Sequence, residues 1–186
     1  VGRLVEWKAV DLLLGAFARA AAAIPAVLEI IGDGPDRAAL EKQAADLGLN
    51  GSDAVALVNF AGWLSQSQCA AHLRDADVLI LPSLMECGGA VVLEAMAVGL
   101  PVIATNWGGP ADYLDADCGI LVDPCDREAF IDGLVAAMER LGVSAELRLS
   151  MGQRGRRRVE QHFDWETKAE CILEIYREAI ARTGGQ

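Results

Sequence analysis

Five short apolar runs, each closed by a turn signal and followed by a stretch of helical spacing, constrain this chain more than any other feature. They are AVLEIIG (residues 26–32), ALVNFAG (56–62), DVLILP (77–82), PVIAT (101–105) and CGILV (118–122). Strands that are apolar along their whole length are buried on both faces, as in a parallel sheet covered by helices. Between them the period changes: Ala39, Leu40, Ala44 and Leu47 fall on one helical face. The chain opens with VGRL (1–4), read as the tail of another strand, and continues into a helix carrying Val10, Leu13, Leu14, Phe17, Ala21 and Ile24. Further helices are expected from a cap at Ser65 to about Ala76, in a short segment near Pro110, and over residues 127–141 and 145–162. A last helix, capped near Asp164, presents Trp165, Ala169, Ile172, Leu173, Tyr176 and Ile180. The expected fold is one doubly wound, Rossmann-like α/β domain over residues 1–186, a length that suits one core, with extra C-terminal helices.

In an open α/β sheet, ligands bind beyond the carboxyl ends of the strands. The loops at residues 2–8, 32–35, 62–65, 83–89 and 106–109 should therefore share one crevice. The run from 82 to 109, PSLMECGGAVVLEAMAVGLPVIATNWGG, carries the most chemistry. Glu86 lies in its glycine-bearing loop and Glu94, seven residues further on, in the apolar segment that follows. A loop of this kind leaves backbone N–H groups unpaired at a helix N-terminus, where the macrodipole favours an anion such as phosphate.

Charge narrows the choice of partners. A formal net charge of −11 works against nucleic acid and anionic membrane, and the RGRRR cluster at 154–158 reads as a solvated helix face. Five cysteines without a C-x-x-C pair give neither a disulfide framework nor a zinc cluster, and only His72 and His162 are available as imidazole ligands, so no metal is expected. This usage fits a reducing cytoplasm. No apolar run nears 18 residues, no targeting segment is visible and no membrane association is indicated; the opening within an apparent strand implies further sequence upstream.

Six motifs in order, VGRLVEWK, IIGDGPDRAAL, VNFAGWLS, the run from ADVLILP through NWGG, CGILVDPCD and FDWE, resemble the C-terminal half of the family 4 glycosyltransferases. These are retaining enzymes of the GT-B fold that use nucleotide-diphosphate sugars without a metal or other cofactor. The resemblance implies that Arg3 and Lys8 hold the donor diphosphate, that Glu86 contacts the transferred sugar and that Glu94 binds the ribose. Gly88, Gly89, Ala90 and Val91 would bring backbone N–H groups to the phosphates, with Gly2 and Gly32 on the same edge and the Leu64 backbone at the base. Arg3, Lys8 and Glu86 are thus the candidate catalytic residues, and the nucleotide could be UDP, GDP or ADP. The acceptor, a glycan, lipid or small molecule, would be held by an absent N-terminal domain to which the helix over 164–186 crosses back, so this fragment alone should transfer sugar poorly.

Each residue also has a plainer reading. Alone, Arg3 and Lys8 are a surface pair, Glu94 complements a helix dipole, Gly88 and Gly89 form a turn, and His72 is structural. The family loop commonly reads Glu-Gly-Phe-Gly, whereas Cys87 and Gly88 stand here at its two middle positions. That departure bears on sugar choice and leaves the phosphate site intact. Cys87 has no neighbouring base to activate it as a nucleophile. Trp63, Trp7 and Trp107 lie in strand-end loops where they could face the ligand or shield the core. Two other readings remain open at this point: a GT-B sugar-nucleotide epimerase and a non-catalytic nucleotide-sugar module. A Rossmann dehydrogenase fits less well, because GDGPDR lacks the third glycine of the dinucleotide fingerprint.

Overall fold

The structure, a computed structural model, describes residues 1–50 and 57–183. Strand β1 (Val27–Ile31) pairs in parallel with β2 (Leu57–Gly62), with Val27 opposite Leu57 and Ile30 opposite Phe60. Strands β3 (Leu79–Leu81), β4 (Val102–Thr105) and β5 (Gly119–Val122) form a second parallel ladder, in which Ile103 lies between Ile80 and Ile120. The expected α/β class with parallel strands is present, and its strands fall into two ladders, β1-β2 and β3-β4-β5. The Ala56 end of the predicted second run lies outside the described residues.

One sequence expectation is corrected at the start. VGRL forms no strand: Gly2 N–H donates to the Ile31 carbonyl and Leu4 N–H to that of Asp33, and these two one-way bonds do not complete a ladder.

Period-two alternation divides the core between the faces of the sheets. Ile103 joins a cluster built from α1 (Val10–Ala20) and α6 (Arg127–Gly142), including Leu13, Phe17, Phe130 and Leu134. Its neighbours Val102 and Ala104 face the other way, into a cluster with Val92, Ala95 and Met96 of α4 (Ala90–Ala97). Every residue of β4 is buried, as its continuous apolar run requires. Around this core lie α2 (Arg37–Asp46), α3 (Gln66–Asp75), α5 (Gly109–Tyr113) and α7 (Ala145–His162). Ser65 starts α3 with a capping box to Gln68, and the side chains of Asp126 and Ser144 cap α6 and α7. The last helix, α8 (Trp165–Thr183), follows an Asp164 side chain that accepts from Glu166 N–H and leaves Trp165, Ile172 and Tyr176 exposed. None of the described helices is long and apolar enough to cross a membrane.

The position of α4 depends on a close crossing with α7. A Cβ at Gly152 would lie 1.9 Å from the Gly99 carbonyl oxygen, whereas one at Gly155 would meet only side-chain atoms at 3.5 Å or more. Gly152→Ala should therefore destabilise the fold by about 1–3 kcal/mol through overpacking. Gly155→Ala should be neutral or stabilising, by up to about 1 kcal/mol of helix propensity. Paired urea titrations of the two variants measure the difference, and equal midpoints would show that the crossing has slack.

Candidate functional site at the carboxyl ends of the strands

Backbone hydrogen bonds join the loops predicted to share a crevice. Gly2 N–H donates to Ile31, Gly32 N–H to Gly62, Leu84 N–H to Trp7 and Gly109 N–H to Glu86, at 2.9, 2.8, 2.8 and 3.3 Å. These bonds link the first loop to the ends of β1 and β3, β1 to β2, and the β3 loop to the start of α5. Two glycines make the approach possible. A Cβ at Gly32, where φ is +136°, would lie 1.8 Å from the Gly2 carbonyl oxygen, and one at Gly109 would lie 2.1 Å from that of Gly88. No other residue type fits these positions without moving the backbone.

On this frame Lys8 and Glu86, far apart in the chain, form an ion pair through Nζ and Oε2. Both side chains are largely shielded, at 21% and 13% exposure, so the pair is less screened than a surface bridge. The helical turn Glu6–Lys8 delivers the lysine, and Ala9 then takes a left-handed φ of 50° to enter α1. Glu86 sits in the loop that ends at Gly89, the N-cap of α4, with φ of 65° and no side-chain cap on the helix. The first turn of α4 thus leaves N–H groups at Ala90 and Val91 for another partner.

The structure brings some predicted residues together and leaves others apart. Lys8 meets Glu86, Gly2 meets Gly32, and Gly88 to Val91 form the rim next to Glu86. Arg3 is exposed, and its guanidinium has no side-chain partner among the described residues. Glu94 is also exposed on the second turn of α4, its carboxylate without a partner among the described residues. Leu64 is half-buried, its carbonyl facing the Cys69 thiol at 3.8 Å, and Trp63 beside it is 77% exposed. Cys87 is exposed in the same loop as Glu86. Among the described residues, no three His, Cys, Asp or Glu side chains gather as a metal cage.

Arg37 is the contributor that sequence reasoning missed. From the start of α2 it reaches the Phe60 carbonyl at 3.4 Å, pairs with Asp33 and Glu41, and lies under the Gly62 turn. Its hydrogen bond to Glu41 raises the guanidinium pKa further above its ordinary value. The only sequence signal was its place just after GDGP, one turn before Glu41. Ser83 and Thr105 are buried at the carboxyl ends of β3 and β4, their hydroxyls without partners among the described residues.

The chain and its fold have known counterparts. The chain is 34% identical over 177 residues to the lipopolysaccharide core biosynthesis glycosyltransferase LpsE of Rhizobium meliloti, covering 94% of this chain and 48% of that protein. Sucrose-phosphate synthase from Thermosynechococcus elongatus superimposes with a TM-score of 0.77 at 31% identity, over 98% of this chain and 45% of that one. The C-terminal domain of the glycosyl transferase group 1 protein LpcC from Francisella tularensis shares the fold, with a TM-score of 0.72 at 24% identity over 89% of this chain and 84% of that domain. The chain thus spans about half the length of the full-length relatives it matches. The family model described as glycosyl transferases group 1 matches residues 1–158, nearly all of the α/β domain together with most of α7, and the chain belongs to that family.

Proposed function

We propose that this chain is the donor-binding half of a retaining family 4 glycosyltransferase of the GT-B type, which passes a sugar from a nucleotide diphosphate to an acceptor hydroxyl. The observation that carries this reading is the Lys8–Glu86 pair, set between an unpartnered arginine at Arg3 and the uncapped start of α4. A diphosphate is an anion of matching type for all three groups: Arg3, Lys8 and the N–H groups of Gly89 to Val91. The relatives' names support glycosyl transfer, and neither the epimerase nor the non-catalytic reading gains support from them.

In this reading the donor's sugar–phosphate bond breaks while the acceptor oxygen approaches on the same face, through an oxocarbenium-like state. The acceptor's proton goes to the departing phosphate oxygen, whose growing charge Arg3 and Lys8 neutralise. No metal or other cofactor is assigned. Glu86 holds Lys8 in place before the donor arrives, and its second oxygen is available to sugar hydroxyls. Glu94 lies one turn further along α4 and is assigned to the ribose, Gly2, Gly32 and the Leu64 backbone to the nucleotide end of the crevice. UDP, GDP and ADP sugars all carry the groups this site would grip. We assign the acceptor, a glycan, lipid or small molecule, to the other half of a longer cytoplasmic protein, and the exposed Trp165, Ile172 and Tyr176 face of α8 to contact with that half.

Arg3→Ala in the full-length enzyme should raise the barrier by about 2.7–4 kcal/mol, a loss of roughly a hundred- to a thousandfold in kcat, as expected for removing one preorganised donor to a developing anion. Steady-state kinetics measure it, and near-normal turnover would remove Arg3 from leaving-group stabilisation. Glu94→Ala should weaken nucleotide binding in calorimetric titrations with UDP, GDP and ADP. Unchanged affinity for all three would reassign Glu94 to the helix dipole alone.

A further inference from the structure

The Glu86 loop is fastened on both sides, and each fastening carries a tryptophan. On one side the Trp7 carbonyl accepts from Leu84 N–H at 2.8 Å. On the other, Gly109 N–H donates to the Glu86 carbonyl, and a Cβ at Gly108 would lie 2.0 Å from that same oxygen. Trp107 comes just before, in a tight turn where its own N–H returns to the Thr105 carbonyl at 2.8 Å. Trp7 and Trp107 are 49% and 54% exposed, so each keeps one part packed and offers the other to a ligand. The Lys8–Glu86 ion pair lies in the same cluster of loops.

Between the two fastenings the loop carries little bulk. Cys87 and Gly88 are both exposed, and a Cβ at Gly88 would meet nothing within 4 Å. Gly88 has no left-handed φ either, so neither backbone nor packing calls for glycine there. What glycine does at this position is leave space. Next to Trp107, the exposed Asn106 amide donates to Asp123 Oδ1 at 2.6 Å. That bond leaves the second N–H and the Oδ1 of Asn106, and Oδ2 of Asp123, without a partner among the described residues.

Indole faces set beside a joined amide and carboxylate suit one kind of ligand. A pyranose ring has a face of C–H groups, which meets the negative face of an indole, and an edge of hydroxyls, which pairs with planar side chains that donate and accept together. Leu84 and Met85 are also exposed and widen the apolar surface on the Trp7 side. An alkyl chain would use that surface but leave Asn106 and Asp123 without a role.

We propose that Trp7 and Trp107 flank a sugar-binding slot over the Glu86 loop, with Trp107 as its stacking platform and Asn106 and Asp123 as its hydroxyl partners, and that the slot takes the acceptor ring to which the sugar is passed. This rests on the donor-binding reading and narrows its acceptor to a carbohydrate, gripped by this half at the ring that reacts, wherever the rest of the acceptor is held. None of these four residues is among those assigned to the donor.

The test uses the full-length protein with isotope-labelled tryptophan, the indole N–H signals of Trp7, Trp63 and Trp107 being assigned by substitution. With UDP, GDP or ADP present, millimolar maltotriose, mannobiose or lactose should shift the Trp7 and Trp107 signals and leave that of Trp63 in place. Trp107→Ala should weaken that binding by about tenfold, the loss of one aromatic contact, and Trp107→Phe should keep most of it. Gly88→Phe should block it, with circular dichroism confirming that each variant is folded. Shifts with octanol and none with the sugars would make the patch a lipid site and overturn the proposal. Signals that respond to neither, or a Trp107→Ala protein that binds sugar as before, would overturn it too. Sugar displaced by a nucleotide sugar but not by the bare nucleotide would assign the slot to the donor instead. Calorimetry with the nucleotides on the same samples separates the two readings: nucleotide binding without a sugar response sinks the slot alone, and a sugar response without nucleotide binding sinks the donor reading.

Discussion

The crevice is held together by main-chain hydrogen bonds between loops of different βα units, and its side chains depend on them. Gly2 to Ile31, Gly32 to Gly62, Leu84 to Trp7 and Gly109 to Glu86 connect loops that are distant in sequence. A backbone bond does not specify its side chains, but it does require the two chains to lie close. Where they come closest, a carbonyl oxygen occupies the space a Cβ would need, as at Gly32 and Gly109. This explains how the Glu86 loop can carry Cys87 and Gly88 in place of the commoner pair and still be anchored. Its attachment to the start of α5 is made by the Glu86 carbonyl, which accepts from Gly109 N–H and which every residue type supplies.

Much of the fold was legible because burial on two faces leaves a strong sequence pattern. Val102, Ile103 and Ala104 could be read as a buried strand without knowing what covers them, and Ser65 as a helix cap, where the structure adds a capping box with Gln68. Less was legible where the determinant is a meeting of distant segments. VGRL reads as the tail of a strand but makes only two one-way bonds to the end of β1 and beyond, at Ile31 and Asp33. Nothing local announces that Lys8 will meet Glu86, or that Arg37 will support the Gly62 turn; those contacts come from topology. The family resemblance named candidate crevice residues by motif order, of which Lys8 and Glu86 meet, while the division of the strands into two ladders had no sequence signal at all.

Charge placement shows the same dependence on distant partners. The RGRRR cluster, expected to be a solvated face, is partly tied down. Arg154 pairs with Asp117 and Ser150, and Arg158 reaches the Tyr113 carbonyl and Asp115, so α7 clamps the turn between α5 and β5. His72, read as structural, bonds Glu29 on β1 at 2.7 Å and ties α3 to that strand. A chain with a net charge of −11 repels an anionic ligand at long range, but that field is screened within about 8–10 Å at physiological salt. In the proposed reading, recognition of a diphosphate must then rest on groups in direct reach, which at the crevice are Arg3, Lys8 and the first N–H groups of α4.

Arg3 and Lys8 lie on one loop, and the loop is anchored unevenly along its length. Val1 to Lys8 is anchored by its bonds to β1, by Leu84 N–H on Trp7 and by the ion pair to Glu86. Leu4 also accepts from Asp36 N–H, so four of these five ties lie at or beyond Leu4, and Gly2 alone carries the one before Arg3. Preorganised charge stabilises a transition state only if the charge is already in place when the bond breaks.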